Sequence, residues 1–313
     1  MKNNPRAFDI LGNIAILKFP HRRRTPRRCE NLFEAPNQVG LGENLGKRFL
    51  QGAKKKFAEK ILRENKSIRT ILEKQGKVKG RLRKIQTKHL AGEKTKEVLY
   101  RENNCVFRFN INSTYFSPRL SNERKEIASK IKKNDKVLVM FSGVNPYGVV
   151  IAKNSKAKEV FSVEINREAN KYAKLNIELN KVKDKVKLIQ GDIKRVAGTT
   201  GVHQGGARTS SRPRKILKKD FYKGQELSNK FDVIVMPRPQ LKDSFLREAF
   251  MLSKKNTRIY YYDFCKEDEV NSVVEKIKFE AKKFRKKIKI LNIKTAGEIA
   301  PYKIRVRIDF NVL

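Results

Sequence analysis

Apolar residues recur along the chain in two rhythms, one of period two and one near three and a half. Residues 7–19, AFDILGNIAILKF, place short apolar runs on either side of Gly12-Asn13, the pattern of a tight β-hairpin that stops at Pro20. In 53–75, AKKKFAEKILRENKSIRTILEKQ, the residues Phe57, Ile61, Leu62, Ile68 and Ile71 share one side of a predicted helix that closes a first domain. Residues 78–120 carry β-type runs such as VLY and VFRFNI and lead into YFSPRL. Beyond residue 130 the apolar runs at 136–141, 159–165, 185–190, 231–236 and 257–264 alternate with helical spans such as 167–180, which predicts βαβ units and a parallel sheet. After a helical span at about 267–286, KIKILNIKTAG and KIRVRIDF leave no room for a helix between them, so the sheet is predicted to end in an antiparallel hairpin.

Two stretches break these rhythms. Residues 21–52 are basic, then rich in Gly and Asn, and read as a flexible insertion; its Arg22, Arg23, Arg24, Arg27 and Arg28 are either a phosphate-binding patch or a solvated charge run. Residues 195–228 contain VAGTTGVHQGGARTSSRPRK, which lacks the apolar content to pack and reads as a mobile basic loop, with or without a contact to RNA. The resulting division is 1–76, 77–130 and 131–313.

Charge narrows the partners. With 74 Lys and Arg against 32 Asp and Glu, the formal charge is +42, which favours a polyanion such as nucleic acid over a compositional bias or a membrane surface. Neither a signal-peptide core nor a run of about 20 apolar residues is present, so the expectation is a soluble, cytoplasmic protein with no membrane partner, and a monomer. Cys29, Cys105 and Cys265 are far apart and form no C-x-x-C pair, and His21, His89 and His203 stand singly, so neither a disulfide framework nor a metal site is expected.

Candidate chemistry lies at the carboxyl ends of the predicted parallel strands. FSGVNPYG at 141–148 puts Gly143 after the first strand and opens a helix; alone, Gly143 is also a plain turn glycine. Glu164 ends the second strand 21 residues later, near the offset at which a carboxylate accepts from ribose hydroxyls. Asp192 closes the third strand, where it either reaches an adenine or caps the next segment. The partial glycine motif, with no phosphate-gripping Lys, favours S-adenosylmethionine over NAD or ATP.

These positions resemble class I methyltransferases, and a more specific resemblance covers most of the chain outside the two insertions. FDILGNIAILK, KVKGRLRKIQTKHLAGE at 77–93, YRENNCVFRFNINSTYFSPRLSNER at 100–124, VMFSGVNPYG at 139–148, EINREANKYAKLNIELNKV at 164–182 and APYKIRVRIDF at 300–310 look like successive blocks of the archaeal and eukaryotic tRNA (guanine-37-N1)-methyltransferases. The resemblance implies an α/β Rossmann-like class I methyltransferase sheet behind small N-terminal α+β domains. It implies S-adenosylmethionine as cofactor and tRNA as partner, with 1–76 reading tRNA shape and 77–130 linking and binding RNA. The expected cofactor-binding set is Phe141, Gly143, Val144, Glu164, Ile165, Asp192, Ile193 and Met236. Guanine N1 carries a proton that must leave before methylation, and the family-matched base is Glu123 in SNER. Charge then builds on O6, and Arg83 in GRLRK matches the arginine that stabilises it. Tyr115, Arg119 and Arg124 are expected to hold the unstacked nucleotide. Apart from the resemblance, Glu123 reads as half of a surface ion pair, Arg83 as a phosphate contact and Tyr115 as a core aromatic.

Three positions depart from the family pattern. Val139 and Asn145 stand where an Asp and a second glycine are common, which implies an altered or less polar cofactor pocket. MPRPQ at 236–240 replaces an Asn-x-Pro motif; Met236 cannot donate an amide hydrogen bond, so either Arg238 or Gln240 substitutes or the target differs. The competing readings are a wybutosine-pathway transferase acting on a modified guanosine and an RNA-binding protein with a degenerate cofactor site.

Overall fold

Strands and helices follow the apolar rhythm over most of the residues that the computed structural model describes, which are 8–19, 41–80, 82–198, 227, 230–237, 241 and 243–313. These residues fall into two units, one within Met1–Tyr100 plus Asn110–Asn112 and the other within Arg101–Phe109 plus Ser113–Leu313. The stretch 77–130 is shared between them.

In the first unit, β1 (Phe8–Leu11) and β2 (Ile14–Leu17) form the expected antiparallel hairpin. Its turn needs glycine for two reasons: Gly12 has φ +54°, and a Cβ there would run into the carbonyl oxygen of Leu99. The neighbouring Asn13 side chain accepts from the Leu99 amide at 2.8 Å. Gly12→Ala is therefore expected to destabilise this unit by roughly 1–3 kcal/mol from backbone strain alone, read as faster amide exchange across 8–17.

Helix α1 (Leu41–Glu64) begins earlier and ends sooner than the periodicity predicts. Residues 41–52, expected to be irregular, belong to it. The predicted continuation to 75 is instead β3 (Thr70–Lys79), which pairs parallel to β2 and antiparallel to β4 (Lys84–Gly92). Ile68 and Ile71 are buried with Ile61, Ala15, Leu17 and Leu90, as an apolar helix side would require, but the chain reverses through Asn65-Lys66-Ser67 and β-branched Thr70 and Ile71 enter the sheet. The five arginines at 22–28 lie outside the described residues.

Strands β5 (Glu97–Glu102) and β6 (Cys105–Asn110) form a two-stranded sheet whose turn residues, Asn103 and Asn104, both have positive φ. In the second unit, α2 (Ser121–Lys130) precedes β7 (Lys136–Met140), α3 (Pro146–Asn154), β8 (Glu159–Glu164), α4 (Arg167–Leu179), β9 (Val186–Gln190) and the short α5 (Ile193–Val196). Then come β10 (Phe231–Met236), α6 (Leu246–Leu252), β11 (Ser253–Lys266), α7 (Val270–Lys283), β12 (Ile288–Ala300) and β13 (Lys303–Val312). The sheet order is β12-β13-β11-β10-β7-β8-β9, parallel from β9 to β11, with β13 antiparallel to both neighbours. This is the predicted α/β sheet with its terminal hairpin. Strand order reverses at β7, so the crevice at its carboxyl end is where a ligand of such a sheet belongs. Of the second insertion, α5 covers the start, and 199–226 lie outside the described residues.

Candidate active site

The loop after β7 turns through three left-handed residues: Phe141 (φ 58°), Gly143 (φ 59°) and Asn145 (φ 65°). Asn is among the few non-glycine residues that tolerate this backbone, which explains how Asn145 stands where the family has glycine. Its side chain is buried and accepts from the Ser162 hydroxyl at 2.8 Å, and it lies so close to Gly148 that a Cβ at 148 would displace it. Val139, in place of the usual Asp, is fully buried in β7. Glu164 closes the loop from the neighbouring strand: one carboxylate oxygen accepts from the Gly143 amide at 2.7 Å and the other from the Asn166 amide at 2.7 Å.

Four asparagines of the 164–182 block, not singled out from sequence, tie these parts together. Asn166 caps α4 and donates to the Ser113 carbonyl at 3.0 Å; Asn170 donates to the Glu164 carbonyl at 2.9 Å. Asn176 donates to the Val144 carbonyl at 3.0 Å and accepts from the Arg108 amide, and Asn180 both accepts from and donates to the backbone of Val106. Their spacing of four, six and four keeps them near one helix side, a polar stripe that sequence pattern alone does not separate from a solvated face.

Glu123, on the first turn of α2, is buried and surrounded by donors. Its Oε2 accepts from the Tyr262 hydroxyl at 2.9 Å and from Arg307 Nη1 at 2.6 Å, and its Oε1 lies 2.9 Å from Lys294 Nζ. Tyr262, Arg307 and Lys294 are direct lateral neighbours on β11, β13 and β12, a row across the sheet under α2. Arg307 is fully buried and also donates to Glu126 at 2.5 Å and to both oxygens of Asp309. That hydrogen bond holds the Glu126 carboxyl far below its ordinary value. The Tyr147 hydroxyl, on the first turn of α3, donates to Tyr262 at 3.1 Å, so two hydroxyls link the cofactor-loop helix to Glu123. Burial pushes Tyr147 up to about 12 and Tyr262 well above its ordinary value, so both keep their protons as donors at neutral pH.

The other expected residues have distinct places. Asp192 accepts from the Lys194 amide at 3.1 Å as the cap of α5. Ile165 is exposed just after β8, whereas Val144, Ile193 and Met236 are buried, the last two within the main hydrophobic core of the second unit. Phe141 packs edge-on against Phe245 at 4.8 Å. The Tyr115 carbonyl lies beside Gly143, and Arg119 is exposed in the short helical turn Pro118–Leu120. Arg124 is not available to a nucleotide in this structure: it is buried against Glu102, to which it donates twice, over the rings of Phe116 and Tyr147. Its place in the sequence block suggested a nucleotide contact because sequence pattern does not show whether an arginine faces solvent or a buried carboxylate such as Glu102, 22 residues away. Arg83 belongs to the first unit, in the turn between β3 and β4 with φ 52°, and Arg238 and Gln240 lie outside the described residues.

Residues 98–204 match the family model described as the TRM5/TYW2 methyltransferase domain. A relative in Nanoarchaeum equitans, named tRNA (guanine(37)-N(1))/4-demethylwyosine(37)-methyltransferase Taw22, is 35% identical over 82% of this chain and 93% of its own length. The chain belongs to the TRM5/TYW2 methyltransferase family. A second family member, the tRNA (guanine(37)-N(1))-methyltransferase Trm5b of Pyrococcus abyssi, is 29% identical over 98% of this chain and 75% of its own. The crystal structure of Trm5b from the same organism superposes with a TM-score of 0.71 over 98% of this chain and 75% of that one, at 28% identity.

Like other members of the TRM5/TYW2 family, the chain uses S-adenosylmethionine, and the loop has the features such a ligand requires. Among the described residues, Ser142 Oγ and Asn145 Nδ2 are buried polar atoms without a hydrogen-bond partner, both within the loop at the switch point. Glu164→Ala is expected to weaken S-adenosylmethionine binding roughly 10- to 100-fold by calorimetry, because it removes a carboxylate and leaves two loop amides without their acceptor.

Proposed function

We propose that this protein transfers a methyl group from S-adenosylmethionine to N1 of guanosine 37, next to the anticodon of tRNA. The observation that carries the reading is the placement of Glu123: a buried carboxylate two hydroxyls away from the helix that follows the cofactor loop. The bound cofactor supplies an electrophilic methyl carbon on a sulfonium. Glu123 takes the N1 proton, the N1 lone pair forms the new N–C bond, and the C–S pair stays on sulfur, so charge and atoms balance. Glu164 accepts from the ribose hydroxyls, and Asp192 and Ile165 border the adenine, while Gly143 gives the close backbone approach. Arg83 stabilises charge on O6, Tyr115 and Arg119 hold the flipped nucleotide, and Arg238 and Gln240 contact the base in place of the missing Asn. The charge of +42 suits the tRNA backbone.

A second reading has its own support: the Nanoarchaeum relative's name couples guanine-37-N1 with 4-demethylwyosine-37. Labelled methyl transfer to tRNA carrying guanosine, adenosine or 4-demethylwyosine at position 37 separates the two. Transfer to the guanosine tRNA and none to the adenosine tRNA is expected. Additional transfer to the 4-demethylwyosine tRNA makes the enzyme bifunctional, and equal transfer to guanosine and adenosine sinks the N1-guanine assignment.

A further inference from the structure

The row formed by Tyr262, Arg307 and Lys294 has no role in the reaction as written above, yet all three side chains end on one carboxylate. Resting on the proposal that Glu123 is the base, we infer that Arg307 and Tyr262 are positioning residues. They fix Glu123 Oε2 and leave Oε1 as the atom that accepts the N1 proton.

The two oxygens of Glu123 are held very differently. Oε2 is gripped from the buried side by a guanidinium at 2.6 Å and a phenol at 2.9 Å. Arg307 has little freedom to let go: it is 0% exposed, and its Nε and Nη2 groups are held by Glu126 and Asp309. Tyr262 is locked in turn by the Tyr147 hydroxyl and stays protonated, so its direction of donation is set. Oε1 instead meets Lys294, whose side chain is 42% exposed on β12. A long, half-exposed lysine moves aside at little cost, and it can rest on Glu126, 2.5 Å from it, when a base occupies Oε1. A carboxylate pinned through one oxygen keeps the other in a single geometry, which is what proton transfer to a positioned base requires.

The charges around the site are balanced. Glu123, Glu126 and Asp309 carry three negative charges; Arg307, Lys294 and Lys130, which lies 2.8 Å from Glu126, carry three positive ones. The other polar groups that bear on Glu123 are Tyr262 on β11 and, through it, Tyr147 on α3, with Arg124 adjacent on α2.

The test is single-turnover methyl transfer by the full chain to tRNA carrying guanosine 37, with saturating S-adenosylmethionine. Tyr262→Phe and Arg307→Lys are expected to lower the rate at saturation roughly 10- to 100-fold, with KM for tRNA and calorimetric cofactor affinity unchanged. In the Glu123→Gln background neither substitution is expected to cause a further loss, because the oxygen they position is no longer a base. Tyr262→Phe removes one atom and keeps the ring in the core, so it decides the matter whatever Arg307→Lys does to stability. An active wild type with both variants at full rate, or losses that add to that of Glu123→Gln, overturns the assignment. A wild type that transfers no methyl group to the guanosine tRNA overturns the functional reading, and this assignment with it.

Discussion

Glu123→Gln is expected to lower the rate of methyl transfer at saturating tRNA and cofactor by roughly 100- to 10,000-fold, the range for losing a positioned general base. The amide is nearly isosteric and its oxygen still accepts from Tyr262 and Arg307, so the fold and the binding of both substrates are expected to survive. The loss then appears in kcat and leaves KM nearly untouched. Full activity in this variant would remove Glu123 from the mechanism, and a loss confined to KM would make it a binding residue.

Arg124→Met is expected to destabilise the second unit by about 3–5 kcal/mol, because it leaves the Glu102 carboxylate buried without its cation. Both side chains are almost wholly excluded from solvent, at 1% and 3% exposure. Arg124 also donates to the Ser117 carbonyl at 3.0 Å and so holds the segment that carries Tyr115 and Arg119 toward α2. Denaturant unfolding measures the loss, and pairing the change with Glu102→Gln is expected to recover part of it by removing the stranded charge. Near-wild-type stability with weakened tRNA binding would return Arg124 to the nucleotide contacts that its sequence block implies.

The parallel strands and the terminal hairpin of the sheet were legible in the residue pattern. Its central strands, Lys136–Met140 and Phe231–Met236, are mostly apolar and buried on both faces, and that density of apolar text cannot be satisfied by any surface element. The switch-point loop was equally legible, since Gly143 and Glu164 sit at a fixed offset that the topology demands, and the Gly143 amide does meet the Glu164 carboxylate. The ordered blocks carried the family, because each contains residues spaced for a local purpose. Where two local solutions compete, sequence misled. Ile68 and Ile71 fit a helical side, but this stretch found backbone hydrogen bonds with β2 over Thr70–Glu73 and with β4 along β3, and α1 ended at Glu64.

The surroundings of Glu123 and Arg124 depend on how the chain packs. Tyr262 and Arg307 lie 139 and 184 residues from Glu123 in sequence, and they meet it because β11, β13 and β12 pair in one register. In KIRVRIDF, Arg307 falls on the polar side of a regular alternation with Arg305 and Asp309, so the strand pattern marks neither its burial nor its partners. Which carboxylate satisfies a buried guanidinium depends on strand register and helix packing, and the energy of such a contact depends on burial that no local pattern encodes.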